Sequence, residues 1–205
     1  MEVAKTEKVH LILNGVNIAS AKSAAMHIKS ADKTTITLAE GTTNSLTDAA
    51  AYVYELPGQT KPNACLYSTD DVTINGKGKL VVNGNYNNGI GTKNDLKIVN
   101  GDITVSSIKN ALKGVDSISI KGGTINLTAQ NDGMKSDNEL EENRGVINIF
   151  GGTISITAGD DSIQAYTKVN ISAGKVTVQS VGKDINCPIE NNIKVADGCL
   201  ISNSN

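Results

Sequence analysis

The chain has 205 residues, with 21 acidic against 19 basic side chains and a formal net charge of −2. That balance gives no basic footprint for a nucleic acid, and no apolar run reaches the roughly 18–20 residues that a membrane-spanning helix needs. With no tryptophan, one phenylalanine and five tyrosines, any core must be aliphatic. The start, MEVAKTEKVH, carries no apolar leader. Two readings stay open there: a cytoplasmic chain, or a mature secreted domain whose leader has been removed. Cys65, Cys187 and Cys199 form no disulfide framework; small buried thiols or a Cys187–Cys199 bridge are the two readings.

In chain order, one phrase recurs, with alternating apolar residues on both sides of a glycine. It reads LILNGVNI at 11–18, TITLAEGTT at 35–43, VTINGKGKLVV at 72–82 and LKIVNGDITV at 96–105. It continues as ISIKGGTINL at 118–127, INIFGGTISI at 147–156, VNISAGKVTV at 169–178 and IKVADGCLI at 193–201. Glycines 41, 78, 101, 123, 152, 174 and 198 mark the units, with separations of 37, 23, 22, 29, 22 and 24. A fixed period in this range signals a solenoid, and the period-two alternation of Ile, Val and Thr makes its units strands. The glycines belong at tight corners where φ turns positive.

A third short segment completes each unit: NGIGT (88–92), NALKG (110–114), DGMKS (132–136) and DSIQA (161–165), centred on Ile90, Leu112, Met134 and Ile163. Three strands in about 22 residues describe one rung of an all-β, parallel β-helix. The crossover rule gives it the right-handed sense. About eight rungs, stacked at roughly 4.8 Å, make a rod of about 40 Å. The whole of 1–205 reads as a single domain, with loop insertions near 47–65 and 137–145.

Stacking aligns the residues that flank each third strand. Asn88, Asn110, Asp132, Asp161 and Asp184 form one ladder; Asn87, Lys109, Asn131, Asp160 and Lys183 lie beside it. Asp132, Asp160 and Asp161 then fall within about one rung of each other, where they cannot all stay ionised without a counter-charge. Oxygen ligands with no His or Cys nearby suit a hard cation such as Ca²⁺, and Asn131, Asp137, Asn138 and Glu139 can add further oxygens. Asp and Asn also favour turns for purely local reasons, so both readings stand. Lys113, Lys135 and Gln164 should point outward from the same face. The two lysines are either solvated or placed to bind an acidic sugar beside the ion. Tyr52, Tyr54, Tyr67, Tyr86 and Tyr166 are the available stacking platforms or loop packing. His10 and His27 read as surface residues without a role.

The phrases LNGVNI, ADKTTITLAEGTTNSLTD (31–48) and GDDSIQA (159–165) resemble the polysaccharide-lyase-like, right-handed parallel β-helix family of bacterial carbohydrate-binding domains, relatives of calcium-dependent pectate lyases. The resemblance spans nearly the whole chain. It implies a secreted or cell-surface protein that holds Ca²⁺ near a groove and binds plant cell-wall polysaccharides, both cellulose and acidic, pectin-type sugars such as polygalacturonate. Asp132, Asp160 and Asp161 would match the calcium cluster, flanked by Asn131, Asp137 and Asp184. Lys113, Lys135, Gln164 and Asn110 would face the ligand. The expectation is non-catalytic binding; the alternative is a pectate or polygalacturonate lyase with Lys135 or Lys113 as base. Asn131 stands where the later copy has Asp160, and a lone arginine nearly removes bidentate clamping of a uronate.

Overall fold

The computed structural model describes residues 1–53 and 61–204. Among them the strands form three parallel sheets, of eight, eight and seven strands, in which each strand pairs with the equivalent strand one rung away. The result is a parallel β-helix of eight rungs. The rung at the middle of the coil runs Ser117–Ile120, Thr124–Ala129, Met134–Ser136; the next runs Val146–Ile149, Thr153–Ala158, Ile163–Ala165. Among the described residues the eighth rung has its first two strands, Ile193–Val195 and Leu200–Ser202.

Alternation explains the strands. In Thr124–Ala129, residues Ile125, Leu127 and Ala129 are buried while Thr124, Asn126 and Thr128 are exposed. Successive rungs place like on like: Ile103, Ile125, Ile154 and Val176 stack in register, as do Val105, Leu127, Ile156 and Val178. The third sheet adds the column Met26, Leu66, Ile90, Leu112, Met134, Ile163 and Ile185. These columns merge into one aliphatic core running from Leu13 to Cys199. Each fully buried Ile or Leu contributes about 1.5–3 kcal/mol relative to an exposed one. The three cysteines are free and buried in or beside that core, and burial pushes the Cys65 thiol up to about 12.

The corners follow the glycine pattern with one change. Gly174 has φ +98°, and a Cβ there would lie 2.7 Å from the Gly152 carbonyl oxygen of the rung before, so the corner excludes a side chain twice over. In the third rung this role falls to Gly76 (φ +102°) rather than Gly78, because the strand Asp71–Gly76 runs to the corner itself. Two short third strands, Met26–Ile28 and Ala64–Ser68, occupy the early rungs. The first insertion is narrower than 47–65: Thr47 pairs with Ala19 and Asn83, and Ala64 pairs with Asn88, which keeps both ends in the coil. The second, 137–145, joins Met134–Ser136 to Val146–Ile149. His27 is not a surface residue; it is half-buried, its ring tilted against Tyr67 at 5.4 Å.

Candidate functional site

A ladder of polar side chains runs beside the third sheet, one per rung, almost fully out of solvent. Asn88, Asn110, Asp132 and Asp161 are 2, 0, 0 and 5% exposed. Each satisfies its neighbour. Asn110 Nδ2 donates to Asn88 Oδ1 at 2.9 Å, Asn110 Oδ1 accepts the Asp132 N–H at 3.3 Å, and Asp132 Oδ1 accepts the Asp161 N–H at 3.3 Å. The ladder is therefore structural at its Asn end, since buried polar groups must be paired. That overturns a ligand-facing role for Asn110, whose amide is spent on Asn88, Asn131 and the Asp132 backbone.

At the acidic end the expected cluster forms. Asp132, Asp160 and Asp161 each present an oxygen within 4.8 Å of the others. A Ca²⁺ ion with ligands at about 2.3–2.6 Å spans oxygens up to about 5 Å apart, so the set fits one ion. The register explains the room. Ile163 pairs with Ile185, which brings Lys183, not Asp184, above Asp161 and Gly182 above Asp160. A Cβ on Gly182 would lie 2.7 Å from Asp161 Oδ1 and 2.8 Å from Asp160 Oδ1. Glycine there keeps a side chain off both oxygens, of which Asp161 Oδ1 also accepts the Lys183 N–H at 2.8 Å.

Asp184 sits off the ladder, one residue beyond it. Its Oδ1 accepts the hydroxyls of Ser204 at 2.5 Å and Ser180 at 3.2 Å. Burial tends to raise its pKa, but bonds from Ser202, Ser204 and Ser180 outweigh that and hold it below the usual carboxylate range. Asp184 and Asp137 both lie outside the three-carboxylate group. Asn131 flanks it, with Nδ2 donating to Asp132 Oδ2 and Asn110 Oδ1, both at 3.0 Å. Asn138 turns away: its Nδ2 donates to Asp116 Oδ1 and its Oδ1 accepts the Leu140 and Glu141 N–H groups.

An outward rank runs along the third sheet. Lys113, Lys135, Gln164 and Asn186 are register partners along the third sheet. Neither lysine is free. Lys113 Nζ lies 2.8 Å from Asp137 Oδ2, and Lys135 Nζ lies 3.1 Å from Asp132 Oδ2. Burial pushes the Asp132 carboxyl above the ordinary range, against the downward pull of Lys135.

Beside this rank opens a cleft of about 300 Å³, bounded by Lys135, Asp137, Glu139, Gln164, Tyr166 and Asn186, with Ser136, Ala165 and Pro188. Sequence reasoning missed the cleft, because its wall is the 137–145 loop folding back on the coil. Arg144 Nη1 fixes that loop, 2.6 Å from Asp116 Oδ2. Of the tyrosines among the described residues, only Tyr166 lines it. Tyr52 is buried and stacks on Tyr86 at 4.1 Å, Tyr67 is buried, and Tyr54 falls outside the described residues.

Comparison with known proteins agrees with this architecture. A solved structure of the polysaccharide lyase-like protein from C. thermocellum, a gadolinium derivative, superposes with a TM-score of 0.95 at 50% identity, covering 98% of this chain and 80% of that one. A carbohydrate-binding domain-containing protein of Acetivibrio thermocellus is 50% identical over 200 residues, 98% of this chain and 69% of the relative. The family model described as carbohydrate-binding domain-containing protein matches residues 1–203. The chain belongs to that carbohydrate-binding family.

Proposed function

We propose that the protein is a non-catalytic binder of plant cell-wall polysaccharides, cellulose and acidic pectin-type sugars such as polygalacturonate. The ligand lies on the outer face of the third sheet, and Ca²⁺ held by Asp132, Asp160 and Asp161 assists it. Secretion or display at the cell surface goes with that role, because the polymer is extracellular. The observation that carries the reading is the convergence of three carboxylates within 4.8 Å at the end of an outward polar rank beside a cleft. The similar C. thermocellum structure is a gadolinium derivative, and gadolinium is a hard ion that shares the preference of Ca²⁺ for oxygen donors.

The ion would supply the positive charge that a uronate carboxylate needs and that a single arginine cannot. The lyase alternative requires Lys135 or Lys113 as a free base. Both ammonium groups are engaged by carboxylates, at 3.1 and 2.8 Å, which favours binding over β-elimination.

Calcium that binds only the assembled rungs stabilises the fold by mass action, by about 2.7 kcal/mol at a hundredfold excess over Kd. The expected result is a higher Tm with Ca²⁺ than with chelator, together with Ca²⁺-dependent retention on polygalacturonate and retention on insoluble cellulose. An unchanged Tm removes the ion from the reading. Retention on neither polymer removes the binding function. Unsaturated product accumulating from polygalacturonate, read by absorbance, makes the protein a lyase.

A further inference from the structure

The cleft beside the acidic cluster has a chemistry of its own. Gln164 Oε1 is buried and accepts no hydrogen bond, although buried polar atoms are almost always paired. The nearby donors are turned elsewhere: Asn186 Nδ2 donates to Asp161 Oδ2 at 2.6 Å, Lys135 Nζ points to Asp132, and Lys113 Nζ points to Asp137. Glu139 is exposed at the rim and forms no ion pair among the described residues. Tyr166, 40% exposed, lines the same space. The site is thus rich in acceptors, carries an unneutralised carboxylate and offers one aromatic face.

We propose that this cleft is a subsite for one neutral, hydroxyl-rich pyranose ring. Sugar hydroxyls donate to Gln164 Oε1 and to the Glu139 carboxylate, while the apolar face of the ring lies on Tyr166. A uronate is disfavoured here, because its carboxylate would meet the unneutralised carboxylate of Glu139, whereas Asp137 is already paired with Lys113. An acidic unit is confined to the neighbouring position, within reach of the cation. The volume, about 300 Å³, lies at the lower end of ligand pockets and suits a single ring rather than a chain segment. This assignment rests on the polysaccharide-binding reading and deepens it by dividing one face into a neutral and an acidic position.

The test is calorimetry with cellopentaose and with penta-galacturonate, both in chelator so that only the cleft contributes. Wild type should bind cellopentaose and prefer it to the uronate oligomer. Tyr166→Ala and Gln164→Leu should each weaken cellopentaose binding by tenfold or more, and Glu139→Lys should shift the preference toward the uronate. Tyr166 and Glu139 are exposed, so these two variants keep the fold, as circular dichroism will verify. Unchanged cellopentaose affinity in the variants, or a wild-type preference for the uronate in chelator, overturns the subsite. A wild type that binds no soluble oligomer and is retained on no polymer overturns both the subsite and the wider reading; one retained on polymer, with variants unaffected, overturns the subsite alone.

Discussion

Lys135 Nζ stands 3.1 Å from Asp132 Oδ2, and the Asp132 side chain is only 1% exposed. The lysine thus acts as the resident counter-ion of a carboxylate that burial has already pushed toward protonation. Replacing it by methionine keeps most of the packing and removes the charge. Breaking a buried pair from one side costs about 3–5 kcal/mol; the 21% exposure of Lys135 places this variant near about 3 kcal/mol. Urea denaturation of Lys135→Met measures the loss. If a cation also sits on these carboxylates, Ca²⁺ should restore more stability to the variant than to wild type. A variant as stable as wild type in chelator would show that the pair carries no weight.

Gly182 makes a second claim on the same cluster. Its missing side chain leaves room beside Asp160 Oδ1 and Asp161 Oδ1, 2.8 and 2.7 Å from where a Cβ would be, the latter oxygen already accepting the Lys183 N–H at 2.8 Å. Gly182→Ala should cost about 1–3 kcal/mol as an overpacking change and reduce the Ca²⁺-induced rise in Tm. Gly122→Ala, where the nearest atom to the added Cβ is the Val99 carbonyl oxygen at 3.3 Å, serves as the milder comparison. Equal effects of the two on the calcium response would sever Gly182 from the site.

His27 gives the fold a dependence on mildly acid pH. Burial first, then the positive charges of Lys29 and the N-terminus, hold its pKa below 6.5, with Glu2 opposing; Nε2 is buried without a hydrogen-bond partner. A histidine with a depressed folded pKa binds fewer protons folded than unfolded. Its neutral form therefore supports the fold above about pH 6.5, and that support is lost as pH falls through the folded value. Urea melts between about pH 7.5 and 5 should show wild type losing more stability than His27→Phe, which keeps the packing on Tyr67. Parallel curves for the two proteins would refute it.

How much of this lay in the sequence depends on whether the information was local. The rungs were legible because apolar alternation and corner glycines repeat with little variation, and because stacking at a fixed period turns sequence spacing into spatial neighbours. The Asp132, Asp160, Asp161 cluster followed directly. The ladder failed at Asp184 because that residue directly precedes Ile185, whereas Asp132 and Asp161 stand two before Met134 and Ile163; the register of Ile163 with Ile185 therefore puts Lys183 on the ladder. The early third strands, Met26–Ile28 and Ala64–Ser68, lack the Asn/Asp flank and were invisible by that mark; the small residue before each core side chain, Ala25 and Cys65, was the available signal. The burial of Asn110, the Tyr52–Tyr86 stack and the cleft wall all depend on paths taken by loops or on side-chain pairing across rungs, which no short phrase encodes.

The wall of the cleft depends on one latch. Arg144 Nη1 lies 2.6 Å from Asp116 Oδ2 while Asn138 Nδ2 donates to the other oxygen of that carboxylate at 2.7 Å, so both ends of the 137–145 loop close on a single side chain of the coil. Asp137, at the base of the loop, is tied separately to Lys113. The Arg144 side chain is 39% exposed, so Arg144→Ala should lower global stability by only about 1 kcal/mol, because the coil beneath is unaltered. The loop itself loses the bond that defines its path. Limited proteolysis should therefore cut the variant within 137–145 at a far lower protease dose than wild type, and cellopentaose affinity should fall while the Ca²⁺-dependent rise in Tm stays. Arg144→Lys should recover part of the protection, since it keeps the charge but loses the planar fork. If Arg144→Ala resists protease as wild type does, the loop is held by its backbone bonds alone, such as that from Gly145 N–H to the Asp116 carbonyl, and the cleft is a fixed feature of the coil rather than one the latch maintains.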